Sequence, residues 1–225
     1  MSLKPDHIDF KNEIAKRGIE YLIHFTPTIN LFSILENKEL MSRAKLESLD
    51  IEQFDILDYI QINDIPRYDG KKTHINLSIS GPNTFLFSRF REQTRDDVTI
   101  SWCVLKIKPC HIYDEETLFA VTNAASRDAR NIGLTGDLDK FKMLFASNIP
   151  VPYGTRGRII DKYPTNVQAE VLVKHSIPIE SILQVCFDDE RTMAEAKGAV
   201  SAYNLDYDTS NFVVDKEIFS PNRSK

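Results

Sequence analysis

Three residues with side chains capable of chemistry interrupt apolar segments that are typical of strands. His24 and Thr26 lie in the run 21–26 and share one face, because side chains on a strand repeat every two residues. Glu170 shares a face with Gln168 in a second apolar run, and a carboxylate beside buried residues is usually paired or at the edge of a cleft. Two interpretations stay open: satisfied structural side chains, or a ligand site with a carboxylate positioned for electrostatic or hydrogen-bonding chemistry.

A long loop at 147–165, rich in proline and glycine, directly precedes the Glu170 segment. Loops of this length inside a compact domain are usually functional or disordered. This one carries Arg156 and Arg158, whose guanidinium groups are suited to phosphate. Arg67 lies in another charged loop, where a lone surface arginine usually has no special role. The arginines of the longer loop are therefore the better candidates for substrate contact.

A third segment joins an alternating strand pattern that contains Ser78 to a predicted helix with Phe85, Phe87 and Phe90. Aromatic side chains in such a stripe belong to a core more often than to a ligand platform. Asn83, at the start of the helix, is also typical of a helix N-cap. The sequence pattern alone leaves the structural and binding roles of this segment open.

The composition excludes several common classes of protein. The 225 residues carry 28 basic and 33 acidic side chains, and the net charge of −5 argues against a protein that coats duplex DNA. Only eight glycines are present, with no G-x-G-x-x-G, P-loop or G-x-S-x-G motif. Three cysteines without C-x-x-C spacing and five dispersed histidines indicate neither a disulfide framework nor a metal site. The absence of a long apolar run predicts a cytoplasmic protein without membrane contact.

The order of predicted elements favours a single α+β domain over residues 1–225, built around a mixed central β-sheet with flanking helices. Residues 1–19 are expected to form its N-terminal helix, and 188–225 an acidic C-terminal segment. Hydrophobic periodicity predicts helices at 5–17, from 28, within 42–65, and at 82–93, 137–146 and 189–203. It predicts strands at 21–26, 74–80, 98–108, 168–173, 182–187 and 211–215.

The charge is unevenly distributed along the chain. Residues 186–217 contain eight acidic and three basic side chains, a net charge of −5 that equals the charge of the whole protein. Residues 141–175 contain five basic and two acidic side chains, a net charge of +3. The region around the long loop is therefore compatible with a local grip on a short single strand, although broad salt-driven coating of DNA stays excluded.

Four segments, in this order along the chain, resemble the DarT-type DNA ADP-ribosyltransferase toxins. They are Y-L-I-H-F-T-P-T-I-N-L-F-S-I-L-E-N at 21–37, H-I-N-L-S-I-S-G-P-N at 74–83, T-N-A-A-S at 122–126 and P-T-N-V-Q-A-E-V-L-V at 164–173. The resemblance implies an ADP-ribosyltransferase-like fold. Members of this family cleave NAD and attach ADP-ribose to a base of single-stranded DNA. A macrodomain-type or related hydrolase acts as the antitoxin and removes the modification.

The resemblance also implies roles for individual residues. Glu170 matches the catalytic glutamate, and Arg67 falls near the position of a catalytic arginine. The loop 147–167 corresponds to the substrate-recognition loop. The residues expected to bind NAD are His24, Thr26, Asn30, Ser78, Asn83 and Phe87, and those expected to contact DNA are Arg156 and Arg158.

The residue chemistry agrees with this reaction. Cleavage of the bond between nicotinamide and ribose generates an oxocarbenium-like ribose, as in glycoside hydrolysis. A carboxylate such as Glu170, bonded to the ribose 2′-OH, stabilises that state more than the ground state. NAD would be consumed as a co-substrate without a metal, which is consistent with the missing Rossmann motif. Phe85 or Phe87 could flank the nicotinamide ring.

Two alternatives remain at this point. The fold could transfer ADP-ribose to protein, RNA or a small molecule instead of DNA. It could also serve as a non-catalytic module that binds single strands, although the presence of His24, Thr26 and Glu170 together argues against this.

Overall fold

The computed structural model describes residues 2–56 and 71–221. Its strands are β1 (Leu22–Pro27), β2 (Glu39–Met41), β3 (His74–Ile79), β4 (Trp102–Ile107), β5 (Leu118–Ala120), β6 (Glu170–Lys174), β7 (Ser176–Pro178), β8 (Ile182–Phe187) and β9 (Phe212–Val214). Its α-helices are α1 (His7–Arg17), α2 (Thr28–Glu36), α3 (Arg43–Ser48), α4 (Thr84–Gln93), α5 (Arg127–Ile132), α6 (Leu138–Met143) and α7 (Glu190–Ala202). Short 3-10 turns span Pro109–Tyr113, Ile179–Ser181 and Thr209–Asn211.

Seven strands form the central sheet, in the order β5-β6-β3-β1-β4-β8-β9. All neighbours are antiparallel except β8 and β9, and β2 and β7 form a separate antiparallel pair. This arrangement confirms the predicted α+β class and the mixed sheet. None of the helices in the described ranges has the length and apolar character needed to cross a bilayer.

Alternation along β1 separates the core into two layers, one on each face of the sheet. Leu22 faces the larger hydrophobic cluster together with Leu105 of β4. Ile23 faces a second cluster together with Val104 and Trp102. His24 and Thr26 follow Leu22 at intervals of two and therefore point to the face of the larger cluster. The predicted common face of these two polar residues thus follows from the observed strand.

Two predicted strands are shorter than the apolar pattern suggested. The strand predicted at 98–108 begins at Trp102, because the Asp97 carboxylate accepts hydrogen bonds from Thr99 N (2.9 Å) and Thr99 Oγ1 (2.6 Å) and closes a turn. The strand predicted at 168–173 begins at Glu170, because Asn166 Oδ1 accepts from Gln168 N at 2.8 Å. Gln168 therefore lies in a turn and not beside Glu170 on a strand, which corrects the predicted shared face.

The helix predictions agree with the structure in position more than in extent. Helix α1 ends at Gly18, whose φ of 67° is the left-handed conformation that glycine adopts readily. Within the helix predicted at 137–146, only Leu138–Met143 (α6) is helical. Of the helices predicted within 42–65, α3 is described, and the part from 57 onward lies outside the described residues. The three-residue strands β2, β5 and β7 were not predicted, since such short segments carry no periodicity.

Candidate active site

Glu170 is the first residue of β6 and lies opposite Ala120 of β5. Its side chain is buried, with 9% of the residue exposed, and its Oε2 accepts a hydrogen bond from the backbone amide of Ala124 at 2.8 Å. A charge-assisted bond of this kind orients a carboxylate as well as stabilising it. The segment that follows β5 therefore holds Glu170 in a defined position at the start of β6.

The T-N-A-A-S segment owes its shape to side chains that bond to its own backbone. Asn123 Oδ1 accepts from Ala125 N at 2.9 Å, and Ser126 Oγ caps α5 by accepting from Ala129 N at 3.0 Å. Together these contacts turn the chain so that the Ala124 amide faces Glu170. The sequence singled out this segment by resemblance, but the role of Ala124 was missed because a backbone donor leaves no signal in residue types.

His24 lies where β1 separates from β3. The two strands pair at Leu22–Ile79 and Ile23–Ser78, whereas β1 pairs with β4 along its whole length. His24 Nδ1 is 3.3 Å from the carbonyl oxygen of Asn76, and donates to it in the tautomer that protonates Nδ1. The histidine is thus oriented by β3 at the point where the sheet opens.

Thr26 and Asn30 are brought together, but mainly by contacts with each other and with a neighbouring segment. Asn30 Nδ2 donates to Thr26 Oγ1 at 3.1 Å and to the Phe54 carbonyl at 3.0 Å, while Asn30 Oδ1 accepts from Phe54 N at 2.9 Å. The Asn30 amide therefore anchors the segment that leads into residues 57–70. Arg67 belongs to that stretch and lies outside the described residues. The predicted catalytic role of Arg67 stays a prediction.

Ser78 is buried on β3, in register with Ile23. The last registered pair of β3 and β6 is Leu77–Val171, so Ser78 and Glu170 are the next residues along the two strands. Sequence spacing could not reveal this proximity, because ninety-odd residues of chain separate the two positions. The sheet therefore brings the predicted Ser78 and Glu170 to the same edge of the β3–β6 pair.

Asn83 and Phe87 have structural roles in α4. Asn83 Oδ1 accepts from Leu86 N at 3.1 Å and caps the helix, as one interpretation of the sequence anticipated. Phe87 is only 2% exposed, stacks on Phe25 with ring centroids 4.6 Å apart and contacts Trp102 edge-on. These contacts favour a core role for Phe87, and its predicted contact with NAD stays a prediction. Phe85, on the same helix, is 63% exposed.

The two loop arginines differ sharply in their surroundings. Arg156 Nη1 donates to the Tyr163 carbonyl at 2.9 Å, and its Nη2 donates to the Ile160 carbonyl at 3.1 Å. Its guanidinium is therefore bonded within the loop itself, and the predicted contact of Arg156 with DNA stays a prediction. Arg158 is exposed and makes no hydrogen bond or ion pair with the part of the chain that the structure describes.

Across residues 2–56 and 71–221, no group of three or more His, Cys, Asp or Glu side chains is placed to hold a metal ion. The described residues of this site offer a positioned carboxylate, a histidine, hydroxyl groups and backbone amides. Such groups can bind and orient a nucleotide and stabilise a developing cation.

Several solved structures have a fold similar to that of this chain. The chain is similar to Thermus sp. 2.9 DarT in complex with NAD+, with 14% identity over 88% of this chain and 96% of that one, and a TM-score of 0.59. It matches the same protein in complex with ADP-ribosylated ssDNA with 13% identity, 89% and 96% coverage and the same score. Thermosipho africanus DarTG in complex with ADP-ribose matches with 16% identity, 89% and 50% coverage and a TM-score of 0.54. The chain therefore shares the fold of these DarT structures.

The family follows from the sequence itself. The model of the ssDNA thymidine ADP-ribosyltransferase family, DarT, matches residues 23–218. The chain belongs to this family. A search of curated proteins finds no match. The family assignment confirms the resemblance drawn from the four sequence segments and, with it, an ADP-ribosyltransferase that uses NAD as its co-substrate.

Proposed function

We propose that this protein transfers ADP-ribose from NAD to a thymidine base of single-stranded DNA, with Glu170 as the catalytic carboxylate. The observation that carries the proposal is the placement of Glu170 at the start of β6, buried and oriented by the Ala124 amide, directly after the long loop. Membership of the ssDNA thymidine ADP-ribosyltransferase family supports the choice of acceptor.

In the proposed reaction the bond between ribose C1′ and the nicotinamide nitrogen breaks, and its electron pair leaves with nicotinamide. A thymine ring nitrogen forms the new bond to C1′ and releases its proton to solvent water. Glu170, held by Ala124, accepts a hydrogen bond from the ribose 2′-OH and faces the positive charge that develops on the ribose. Because that charge exists mainly in the transition state, the carboxylate lowers the barrier more than it strengthens NAD binding.

The other polar residues are assigned to binding. His24, oriented by the Asn76 carbonyl, and Ser78, next to the Glu170 position, are proposed to contact the NAD ribose groups. Asn30 is proposed to act through the segment that it anchors and not only through direct contact. A single strand is the economical substrate, because a base inside a duplex is not accessible for chemistry.

The direct test uses radiolabelled NAD and single-stranded oligonucleotides that contain one thymidine or none. We expect label on the thymidine oligonucleotide with the wild type, and at least about 100-fold slower transfer with Glu170→Gln. Glu180→Gln, at an exposed carboxylate outside the site, is the matched control and should behave as wild type. Label on added RNA or protein in place of DNA would move the acceptor to that class. Folded wild type that neither transfers label nor releases nicotinamide would contradict the proposal.

We further infer that a macrodomain-type ADP-ribosyl hydrolase acts as the antitoxin. The resemblance to toxins of this type and the similarity to a protein named DarTG support this inference. The reaction needs NAD and DNA in one compartment, which fits the cytoplasmic location predicted from the sequence. Incubating the labelled DNA product with a macrodomain hydrolase should release ADP-ribose, and a product that resists every such hydrolase would contradict the inference.

A further inference from the structure

The N-terminal segment, which comprises residues 2–17, packs against the edge of the central sheet at β5. An antiparallel bridge joins Leu3 to Asp114, in the turn that leads into β5. Next to this bridge, the backbone amide of Lys4 donates to the Tyr113 carbonyl at 3.0 Å. The segment lies before the region that the family model matches, and the reaction proposed above uses none of its side chains. Its contacts therefore point to a role that family membership does not assign.

The charged end of the Lys4 side chain is buried against the chain just before β5. The residue is 5% exposed, and its Nζ donates to the Thr117 carbonyl at 2.7 Å and to the Glu115 carbonyl at 3.1 Å. Thr117 directly precedes β5, and its own hydroxyl donates to the His111 carbonyl at 2.7 Å. Breaking either bond of the ammonium would leave a buried polar group unsatisfied. Lys4 therefore fixes the position of the residues that lead into β5.

Gly136 packs against the same contact from the other side. A Cβ at this position would lie 2.5 Å from the Thr117 carbonyl oxygen and 2.7 Å from Lys4 Nζ, closer than such atoms approach in real structures. Only glycine leaves the lysine room to reach Thr117. We call Lys4, Thr117 and Gly136 the Lys4 junction.

Helix α1 packs on the same strand through aromatic rings. Phe10 is fully buried, and its ring centroid lies 5.8 Å from that of Phe119 in β5 and 5.6 Å from that of Phe141 in α6. The rings of Phe119 and Phe141 are 5.2 Å apart, so the three side chains form one cluster. Strand β5 has three residues and lies at the edge of the sheet. Because so short an edge strand has few ladder hydrogen bonds, its placement depends on the groups that pack against it.

Strand β5 connects the N-terminal segment to the Glu170 carboxylate in two ways. Ala120, the last residue of β5, lies opposite Glu170 in the ladder. Four residues further on, the Ala124 amide donates to Glu170 Oε2 at 2.8 Å. Val121 and Thr122, between these two contacts, are buried, so the connection has little free space in which to absorb a shift. A displacement at the start of β5 would therefore move the carboxylate.

We propose that Lys4 is a positioning residue for the ADP-ribose transfer and that the N-terminal segment sets the position of Glu170 through β5. The inference rests on the proposed role of Glu170 as the catalytic carboxylate. Stabilisation of the transition state depends steeply on the distance between the carboxylate and the developing charge. His24 and Ser78, which are assigned to NAD binding, lie on β1 and β3. Loss of the Lys4 contacts should therefore lower kcat and leave KM for NAD nearly unchanged.

The test measures nicotinamide release and DNA transfer by Lys4→Met, which keeps an aliphatic stem and removes the ammonium. We expect kcat for both readouts to fall about tenfold, with KM for NAD changed by less than about twofold. Gly136→Ala, which forces the Lys4 junction apart without replacing Lys4, should act in the same direction. Thermal unfolding establishes that each variant is folded at the assay temperature.

Lys45→Met is the matched control, because it removes a partly buried ammonium from another part of the fold. Lys45 Nζ donates to Glu39 Oε2 at 2.8 Å and to Ser176 Oγ at 3.1 Å, and so contacts β2 and β7. Ser176 lies beyond the end of β6 that is opposite to Glu170. Lys45→Met should therefore keep kcat, although it too removes buried hydrogen bonds.

A double variant separates positioning from a general loss of structure. If Lys4 acts through the carboxylate, Lys4→Met should cost much less in the Glu170→Gln background, because the charge whose position matters is already absent. A general structural effect would multiply with the effect of Glu170→Gln. The ratio of the two kcat losses is thus the readout that a merely structural role would not change.

Several results would overturn the proposal. Equal kcat losses in the two backgrounds, or the same loss in Lys45→Met, would make the effect a general structural one. Unchanged kcat in folded Lys4→Met, or in Gly136→Ala if Lys4→Met does not fold, would separate the N-terminal segment from the reaction. A raised KM for NAD with unchanged kcat would assign the segment to NAD binding. Failure of both variants to fold would make it a folding element only.

Failure of the proposed function itself would be recognised separately. Wild type that releases no nicotinamide would overturn the proposed reaction, and this inference with it. Wild type that transfers ADP-ribose to an acceptor other than DNA would contradict the choice of thymidine alone. The role of Lys4 would still be tested in that case, because nicotinamide release does not depend on which acceptor is used.

Discussion

The long loop before Glu170 and the C-terminal segment 215–220 are both irregular, yet different forces hold them. The loop is fixed by hydrogen bonds to its own backbone carbonyls: Arg156 spans from Tyr163 to Ile160, and Thr165 Oγ1 donates to the Ala146 carbonyl at 2.6 Å. The C-terminal segment has in addition an ion pair to the sheet, in which Lys106 contacts Asp215 at 2.8 Å. A guanidinium also contributes there, since Arg91 of helix α4 donates to the Phe219 carbonyl at 2.7 Å.

The difference predicts which kind of substitution disturbs each of these two segments. Bonds from a guanidinium to carbonyl groups do not titrate near neutral pH and depend on the shape of the fork. A carboxylate–ammonium pair depends on charge, so pH and salt weaken it. We therefore expect the loop to respond to changes of geometry and the C-terminal segment to changes of charge.

Replacing the two loop arginines by lysine should give the largest contrast. Arg156→Lys keeps the charge but loses the fork that bonds to Tyr163 and Ile160, so the loop shifts relative to Glu170. We expect transfer to fall about 100-fold, because a displacement of about 1 Å can cost that much. Arg158→Lys is the matched control, since Arg158 makes no such contact, and should retain nearly full activity. Steady-state kinetics and thermal unfolding of both variants measure the effect.

The opposite ranking, with Arg158→Lys the more damaging change, would mean that the loop is not organised by Arg156. Equal and small effects would mean that the loop rearranges when substrate binds. In either case the comparison between the long loop and the C-terminal segment would lose its basis.

The two arginines also mark the limit of the sequence-based predictions. The fold class, the strands near β1 and β4 and the candidate role of Glu170 followed from apolar periodicity and motif resemblance, which local residue types carry. The hydrogen bonds of Arg156 within the loop were not predicted, because the carbonyl groups that accept them are backbone atoms. For the same reason, the amide of Ala124 and the packing of Phe87 could not be read from residue types. The proximity of residues around 80, 163 and 217 was not predicted either, because only the fold brings these distant parts of the chain together.

Removing the cation of the C-terminal anchor should have the next largest effect. Lys106→Met leaves the partly buried Asp215 without its cation and also removes the contact of Lys106 Nζ with the Tyr21 ring, whose centroid is 5.0 Å away. We expect a loss of about 1–3 kcal/mol in the free energy of unfolding, less than for a fully buried pair because both side chains retain some exposure. Urea unfolding of Lys106→Met, Asp215→Asn and the double variant isolates the pair. Additive losses would mean that the pair contributes nothing by itself.

Acidification should weaken the same anchor and spare the loop. Burial raises the pKa of Asp215, but the hydrogen bonds from Lys106 and from the Ile218 amide outweigh it, so the net pKa lies below its usual value. A depressed carboxyl pKa stabilises the fold above the unfolded value of about 3.9, and this stabilisation is lost as pH falls through the folded value.

The difference in unfolding free energy between wild type and Asp215→Asn should therefore be present at pH 6 and disappear in acid. The difference between wild type and Arg156→Lys should persist over the same range. Urea unfolding at a series of pH values tests both. If the free-energy difference for Arg156→Lys disappeared together with that for Asp215→Asn, the loop and the C-terminal segment would be held by the same kind of force.

The smallest predicted effect concerns Arg158, a loop cation that has no hydrogen bond or ion pair with residues 2–56 or 71–221. If it contacts one phosphate of the DNA, Arg158→Gln should raise KM for DNA several-fold and leave kcat unchanged. The slope of log affinity against log salt should become shallower by about 0.7, the value for one contact to a single strand. Lys216→Gln is the matched control, because Lys216 is also an exposed cation but lies in the C-terminal segment. An unchanged slope in Arg158→Gln with a reduced slope in Lys216→Gln would place the DNA backbone along the acidic segment. That result would exchange the roles of the two segments, because the acidic C-terminal segment would then bind the phosphates instead of the loop.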